Sequence, residues 1–277
     1  MILTFTSQTM TRPASRKVTT MSRKVPYFKQ TVTGGLYDFS KKKFTKTYIP
    51  NSVLKNGYKI RTSGCGPCAC AGALYYALGK YFAPASLNAR YYPGHGSAHD
   101  IFHYECSKRG VLTIYTTDIK KVAMALKMGC IVGNVQGPGI FTKRGHFILL
   151  IDNIDGRIAV NDSASKARSY RLSGKTYTLS QIDKNARRSG KQYTIIYPHP
   201  LKTARKGDKG EAVERWQCFL AWYYKLEESF VDGSFGANTE KYTKKFQREV
   251  CNFKTIHGIA GPQTRAKAIE QYKKAIK

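Results

Sequence analysis

The stretch RGHFILLIDNIDGRIAVND, residues 144–162, places two strand-length apolar runs on either side of Asp155-Gly156. Asp-Gly between such runs is the composition of a tight hairpin turn, whose central residues must take positive φ. The expectation is therefore an antiparallel pair made of HFILLID and RIAVND. In a hairpin the start of one strand lies beside the end of its partner. His146, which opens the first run after the turn-rich loop QGPGIFTKRG, should thus neighbour Asp162, which ends the second. Taken singly, His146 reads as a satisfied core histidine and Asp162 as a turn cap. Their joint placement points to a general base and the acceptor that orients it.

Working outward, CIVGNV (130–135) adds a strand before the hairpin and QYTIIY (192–197) adds one after it. DIKKVAMALKMG (118–129) reads as an amphipathic helix capped by Asp118 and stopped at Gly129, and LSQIDKNARRSG (179–190) as a short polar helix. CACAGALYYALGKYF (68–82) carries Ala and Leu at helical spacing, begins after Gly66-Pro67 and weakens at Ala83-Pro84, as a buried helix would. Helix first and antiparallel strands afterwards make an α+β fold, not a doubly wound sheet. At TIIYPHPLKTARKGDKG (194–210), Pro198 and Pro200 interrupt the backbone donors and the periodicity turns helical. The expected organisation is a large domain over 22–198, a linker over 199–206 and a small helical domain over 207–277. Residues 1–21 put Arg and Lys after a weak apolar patch, the reverse of a secretory signal. They are set aside as a disordered leader or a mis-assigned start ahead of Met21.

Three of the seven cysteines fall in SGCGPCACAG (63–72). Cys65-Gly-Pro-Cys68 has the spacing of a thiol redox pair at a helix start, but no βαβ pattern surrounds it. A metal knot would need a second knuckle, and no other C-x-x-C exists. His95, His99 and His103 have one-face helical spacing with no acidic or Cys ligand on that face, so they read as ordinary helix residues. A nucleophile needs one Cys at a helix N-terminus, a His on a neighbouring strand and an acceptor for that His. Cys65, His146 and Asp162 meet all three conditions, leaving Cys68 and Cys70 as buried packing residues.

The chain of 277 residues carries 47 Lys and Arg against 17 Asp and Glu, a net charge of +30, of which +23 lies in the first 200 residues. Such a field favours a polyanion: nucleic acid, an anionic membrane or a wall bearing phosphate polymers. Apolar runs such as FILLI (147–151) are strand-sized, so no membrane span is expected. An odd cysteine count at irregular spacing points to reduced thiols and not to a disulfide scaffold.

Together VPYFKQ, SGCGPCACAGAL, GPGIFTKRGHFILLIDNIDGRIAVNDS and QYTIIY, spanning nearly all of 25–197, resemble the C39-like branch of the papain-like cysteine peptidases. The resemblance implies Cys65 as nucleophile, His146 as general base and acid, Asp162 as the residue fixing the imidazole, and Gln30 as an oxyanion donor beside the Cys65 amide. The chain departs from the family pattern at Cys68, at Asp162-Ser163 and in the length between Gln30 and Cys65. In the small domain, Gly207, Gly210, Trp216-Gln217, Asp232-Gly233, Phe235-Gly236, Thr239, Phe246-Gln247, Gly258, Gly261 and Thr264 resemble the peptidoglycan-binding type 1 module, a three-helix unit. The two resemblances imply a phage-type endolysin without cofactor or metal. It would be monomeric, made in a bacterial host cytoplasm without a signal peptide, and would cleave a peptide amide of peptidoglycan as an endopeptidase. Its partners would be peptidoglycan and anionic wall polymers, with no role for nucleic acid. The rivals are a muramoyl-alanine amidase on the same scaffold, an inactive wall-binding protein, and a thiol oxidoreductase using Cys65 and Cys68.

Overall fold

The computed structural model of the protein describes residues 25, 27–30, 36–38, 43–46, 59–87, 97–188 and 190–276; the leader expected over 1–21 and His95 lie outside them. In chain order the elements are β1 (Tyr27–Phe28), β2 (Leu36–Asp38), β3 (Lys43–Lys46), α1 (Ile60–Ser63), α2 (Cys65–Leu78), α3 (Ile101–Ser107), β4 (Thr113–Thr116), α4 (Ile119–Lys127), β5 (Ile131–Gln136), β6 (His146–Ile154), β7 (Arg157–Asn161), α5 (Tyr170–Ser173), β8 (Thr176–Thr178), α6 (Leu179–Lys184) and β9 (Tyr193–Ile196). The helices α7 (Glu211–Tyr224), α8 (Ala237–Phe246) and α9 (Pro262–Ile276) follow. The chain is α+β, with the helix α2 ahead of an antiparallel sheet in the order β4-β9-β5-β6-β7-β8. β1, β2 and β3 form a separate antiparallel sheet.

The hairpin forms as its sequence predicts. Asp155 and Gly156 take φ of 49° and 83° and join β6 to β7 with Ile154 opposite Arg157. A register shift between Leu150 and Asp152 bends β6 along the way. Alternate residues of β6 point to opposite faces, and both faces are covered. Phe147, Leu149 and Ile151 join Leu74 of α2 and Phe102 of α3 in one core, while Ile148 and Leu150 join Val122 and Leu126 of α4 in another. This is why FILLI is apolar throughout instead of alternating. α4 is capped by Asp118, whose carboxylate accepts from Lys120 N at 2.8 Å and Lys121 N at 3.4 Å, a contribution of about 1 kcal/mol.

The second core continues past residue 198. Trp216, Phe219, Phe246 and Tyr272 of the C-terminal helices belong to the same cluster as Val132 and Ile148 of the sheet. His199 and Ala204, in the segment 199–206, are buried, and His199 N donates to Ala77 O at 3.0 Å. Arg215 of α7 is buried across this seam. Its guanidinium stacks on Tyr76 at 4.4 Å, donates to Tyr76 O at 2.8 Å and to His199 O at 3.2 Å, and pairs with Glu211 at 2.8 Å. The change from sheet to helix falls at 198, while the apolar packing runs through it.

Within 207–277 two glutamines do the same job. Gln217 takes Gly233 N and gives to Ser234 O and Thr239 Oγ1, and Gln247 takes Gly258 N and gives to Ile259 O and Thr264 Oγ1. The segments they clasp, DGSFGANT (232–239) and HGIAGPQT (257–264), share one Gly-x-x-Gly-x-x-Thr pattern. Each buried amide thereby saturates a loop that has few backbone partners of its own. Among the described residues no helix is long and apolar enough to cross a membrane.

Candidate active site

Cys65 stands at the first position of α2 because Gly64 both caps the end of α1 at Ser63 and starts α2. A Cβ on Gly64 would lie 2.4 Å from Ile60 O, so only glycine permits that turn. Gly66 is required for a second reason: a Cβ there would lie 2.4 Å from Ser97 Oγ, which packs against the helix start. At the helix N-terminus the dipole favours a thiolate, and the Cys65 N–H has no acceptor within its own helix. Cys65 is half-buried, whereas Cys68 and Cys70 are buried with the rest of the helix face. Burial pushes the Cys70 thiol well above its ordinary value, as expected for an inert packing residue.

His146, at the first position of β6, bonds through Nε2 to Asp162 Oδ1 at 2.7 Å. It is also hydrogen-bonded to Cys65, which leaves Nδ1 as the nitrogen on the thiol side. Asp162 is fully buried one residue beyond β7 and is held from several directions. Its Oδ2 accepts from Arg168 Nε at 2.5 Å and its Oδ1 from Ala164 N at 2.9 Å, while Ser169 Oγ accepts from its backbone N at 3.0 Å. The hairpin thus places His146 beside Asp162, and α2 brings up Cys65.

The charges follow from these contacts. Burial raises the Asp162 carboxyl, but His146 and Arg168 outweigh it and hold the group below the ordinary carboxylate range. Burial lowers His146, but its bonds to Asp162 and Cys65 outweigh that and carry it up to about 9. Burial raises the Cys65 thiol, but the His146 hydrogen bond, its charge and the N–H groups of Phe147 and Gly66 bring it below its ordinary value. The two shifts run in opposite directions, each in the sense that favours a thiolate beside an imidazolium. Activity is expected to follow a bell. It is lost on the acid side as the thiolate is protonated, below the range of an ordinary thiol. It is lost on the alkaline side near pH 9 as the imidazolium gives up the proton a leaving amine needs. A pH series at constant ionic strength measures both limbs; an alkaline limb near the ordinary histidine value would mean that the pair does not form.

A cavity of about 490 Å³ opens at Cys65 and His146, walled in part by Ser97, His99, Arg144 and Arg187. None of these four was singled out from the sequence as a cavity residue, since they come from three separate loops. Gln30 lies elsewhere. Its backbone N donates to Ser163 O at 2.9 Å and its Oε1 faces the Ser163 hydroxyl at 3.5 Å, so it braces the loop after Asp162 and is not part of the cavity wall. His99 and His103 do not share one helix face. α3 begins only at Ile101, so His99 sits in the preceding turn against Phe147, and His103 bonds to Thr113 Oγ1 at 2.6 Å. No three His, Cys, Asp or Glu side chains gather as metal ligands among the described residues.

No protein-family model and no curated protein matches the chain. Among solved structures it is similar to a periplasmic domain of the EpsAB fusion protein of the Vibrio vulnificus type II secretion system. That likeness has 22% identity and a TM-score of 0.24, and covers 59% of this chain and 64% of that one, less than two thirds of its length. It is also similar to a candidate C39-like peptidase from Bacillus anthracis, at 14% identity and a TM-score of 0.42, covering 63% of this chain and 94% of that one. Both are remote in sequence.

A second, smaller cleft of about 240 Å³ lies in the C-terminal helices, between Phe230, Asp232, Ser234 and Asn238. Its floor includes Gln217, the first of the two glutamine clasps.

Proposed function

We propose that the protein is a cysteine hydrolase of amide bonds in the peptide part of bacterial peptidoglycan, an endopeptidase with Cys65, His146 and Asp162 as its working residues. The observation that carries the chemistry is the chain of contacts from Asp162 through His146 to Cys65 at an open cavity. The thiolate of Cys65 attacks the carbonyl carbon, and the developing oxyanion is met by the Cys65 N–H at the helix start. The C–N bond breaks as His146 passes its proton to the leaving amine, leaving a thioester on Cys65. Water, deprotonated by His146, then attacks the thioester; the acid leaves and the thiolate–imidazolium pair is restored.

The wall as substrate rests on the sequence pattern of 207–277 and on the charge of +30. A cationic enzyme is drawn to an anionic wall, more strongly at low salt, and a binding module raises its local concentration on an insoluble substrate. In this reading a phage supplies the enzyme in the host cytoplasm and it acts at the wall as a monomer. The test is mass spectrometry of fragments released from purified walls by the full chain. New amines on peptide residues are the expected result. A freed muramic lactyl group would make it an amidase on the same site, and no covalent product would end the hydrolase reading.

A further inference from the structure

The cavity at Cys65 has two guanidinium groups on its rim. Arg144 and Arg187 are both exposed there, and no Asp or Glu is among the residues that wall it. Four arginines outside the cavity pair with carboxylates: Arg109 with Glu105, Arg168 with Asp162, Arg188 with Asp183 and Arg215 with Glu211. Neither Arg144 nor Arg187 has a carboxylate partner among the described residues. The acid nearest in sequence to the cavity residue His99, Asp100, is itself paired with Lys191 at 3.6 Å.

The two arginines are also held in place. Arg187 N donates to Val135 O at 2.8 Å at the end of β5, and Arg187 Nη2 donates to Arg144 O at 3.3 Å. The Arg187 guanidinium lies over Gly145, where a Cβ would approach Nη2 to 2.9 Å. It therefore sits one residue from the general base. Arg144 N donates to Thr142 Oγ1 at 3.1 Å, which fixes the loop that carries it. Burial, and then the charge of Arg187, lower the neighbouring His99 and keep it neutral near pH 7. Ser97 Oγ, also in the cavity wall, is buried without a partner among the described residues. Two guanidinium groups on one rim without carboxylate partners, one of them tied to the backbone of the other residue, are suited to a planar anion.

We propose that Arg144 and Arg187 select substrates with a free carboxylate close to the amide that Cys65 attacks. The inference rests on the hydrolase reading above and narrows its substrate class: an acidic peptide whose ionised carboxylate docks beside Gly145. That carboxylate is either the end of a peptide chain or a branch left free by a side-chain linkage. Charge-assisted bonds of this kind separate an acid from its amide by about 10- to 100-fold in kcat/KM.

The experiment compares fragment release by the full chain from purified walls and from the same walls with their carboxylates converted to amides. Wild type is expected to lose about 10- to 100-fold on amidated walls. The Arg144→Gln/Arg187→Gln variant is expected to start that much lower on untreated walls and to lose little more on amidation. Lys120→Gln/Lys121→Gln, which removes two exposed charges from α4 on the other face of the sheet, controls for charge in general and should keep the wild-type response. Equal release from both walls by wild type overturns the inference and leaves the hydrolase reading standing. The same outcome follows if the lysine variant loses the response as fully as the arginine variant. Release from neither wall overturns both. The position of each new amine relative to the free carboxylates in the fragments tells a chain end from a branch.

Discussion

Cys65→Ala is expected to lower fragment release from purified walls by about 10⁴-fold or more, while Cys68→Ala changes it by less than about threefold. The two thiols are a turn apart on one helix and differ in every respect that matters for chemistry. Cys65 is at the helix start, half-buried, bonded to His146 and opening on the cavity. Cys68 is 1% exposed in the core between α2 and its neighbours. Removing the Cys65 sulfur removes the atom that attacks, so no remaining group can form the acyl-enzyme. Removing the Cys68 sulfur leaves a small cavity, a cost of about 1 kcal/mol that lowers the melting temperature and not the turnover. A thiol oxidoreductase would behave otherwise, since both sulfurs of the pair take part in exchange. Equal loss in the two variants, with circular dichroism showing both folded, would sink the hydrolase reading in favour of the redox one.

The parts of this site that were legible in the sequence are those with a local cause. Asp155-Gly156 demands positive φ, so it fixes the hairpin, and the hairpin in turn fixes His146 beside Asp162. Asp118 and Gly129 mark the ends of α4 by chemistry that acts within four residues. What escaped depends on pairings between distant segments, where no local pattern states the partner. β9 inserts between β4 and β5, although β5 lies some sixty residues upstream of it. Arg168 grips Asp162 from a loop that composition leaves featureless, and Arg187 reaches the cavity from the end of what reads as a polar helix. Gln30 follows the same rule. The family resemblance implies a neighbour of Cys65, but the chain after β1 lays it against Ser163. The glutamine clasps have a sequence mark, the Gly-x-x-Gly-x-x-Thr pattern recurring after Gln217 and Gln247, though the pattern alone does not say that the glutamine amide fills the loop. The continuity of packing across residue 198 had none, because the faces of α7 and α9 that meet the sheet look the same as faces that would pack only on each other.

Asp162→Asn should separate the two duties of this carboxylate, and its expected effect on rate is about 10²- to 10⁴-fold. The amide keeps the shape but not the charge. It can present an N–H toward His146 Nε2, which favours the tautomer with its proton on Nδ1, the side that must receive one from water during deacylation. The imidazolium also loses its buried counter-ion, so the alkaline limb, set near pH 9 by His146, should move down toward the ordinary histidine value. That displacement is what a purely structural role would not produce. Arg168 supplies the comparison, because its guanidinium is 29% exposed and bonds to Oδ2, the oxygen that His146 does not use. Arg168→Met removes this second grip and leaves the His146 bond, so it should lower stability by about 1–3 kcal/mol with a smaller loss of rate. A denaturation curve and a pH–rate profile on the same two variants distinguish the outcomes. If Asp162→Asn keeps its rate within threefold and its alkaline limb in place, Asp162 serves only to hold its loop, and the orientation of His146 must come from the bond it makes with Cys65 alone.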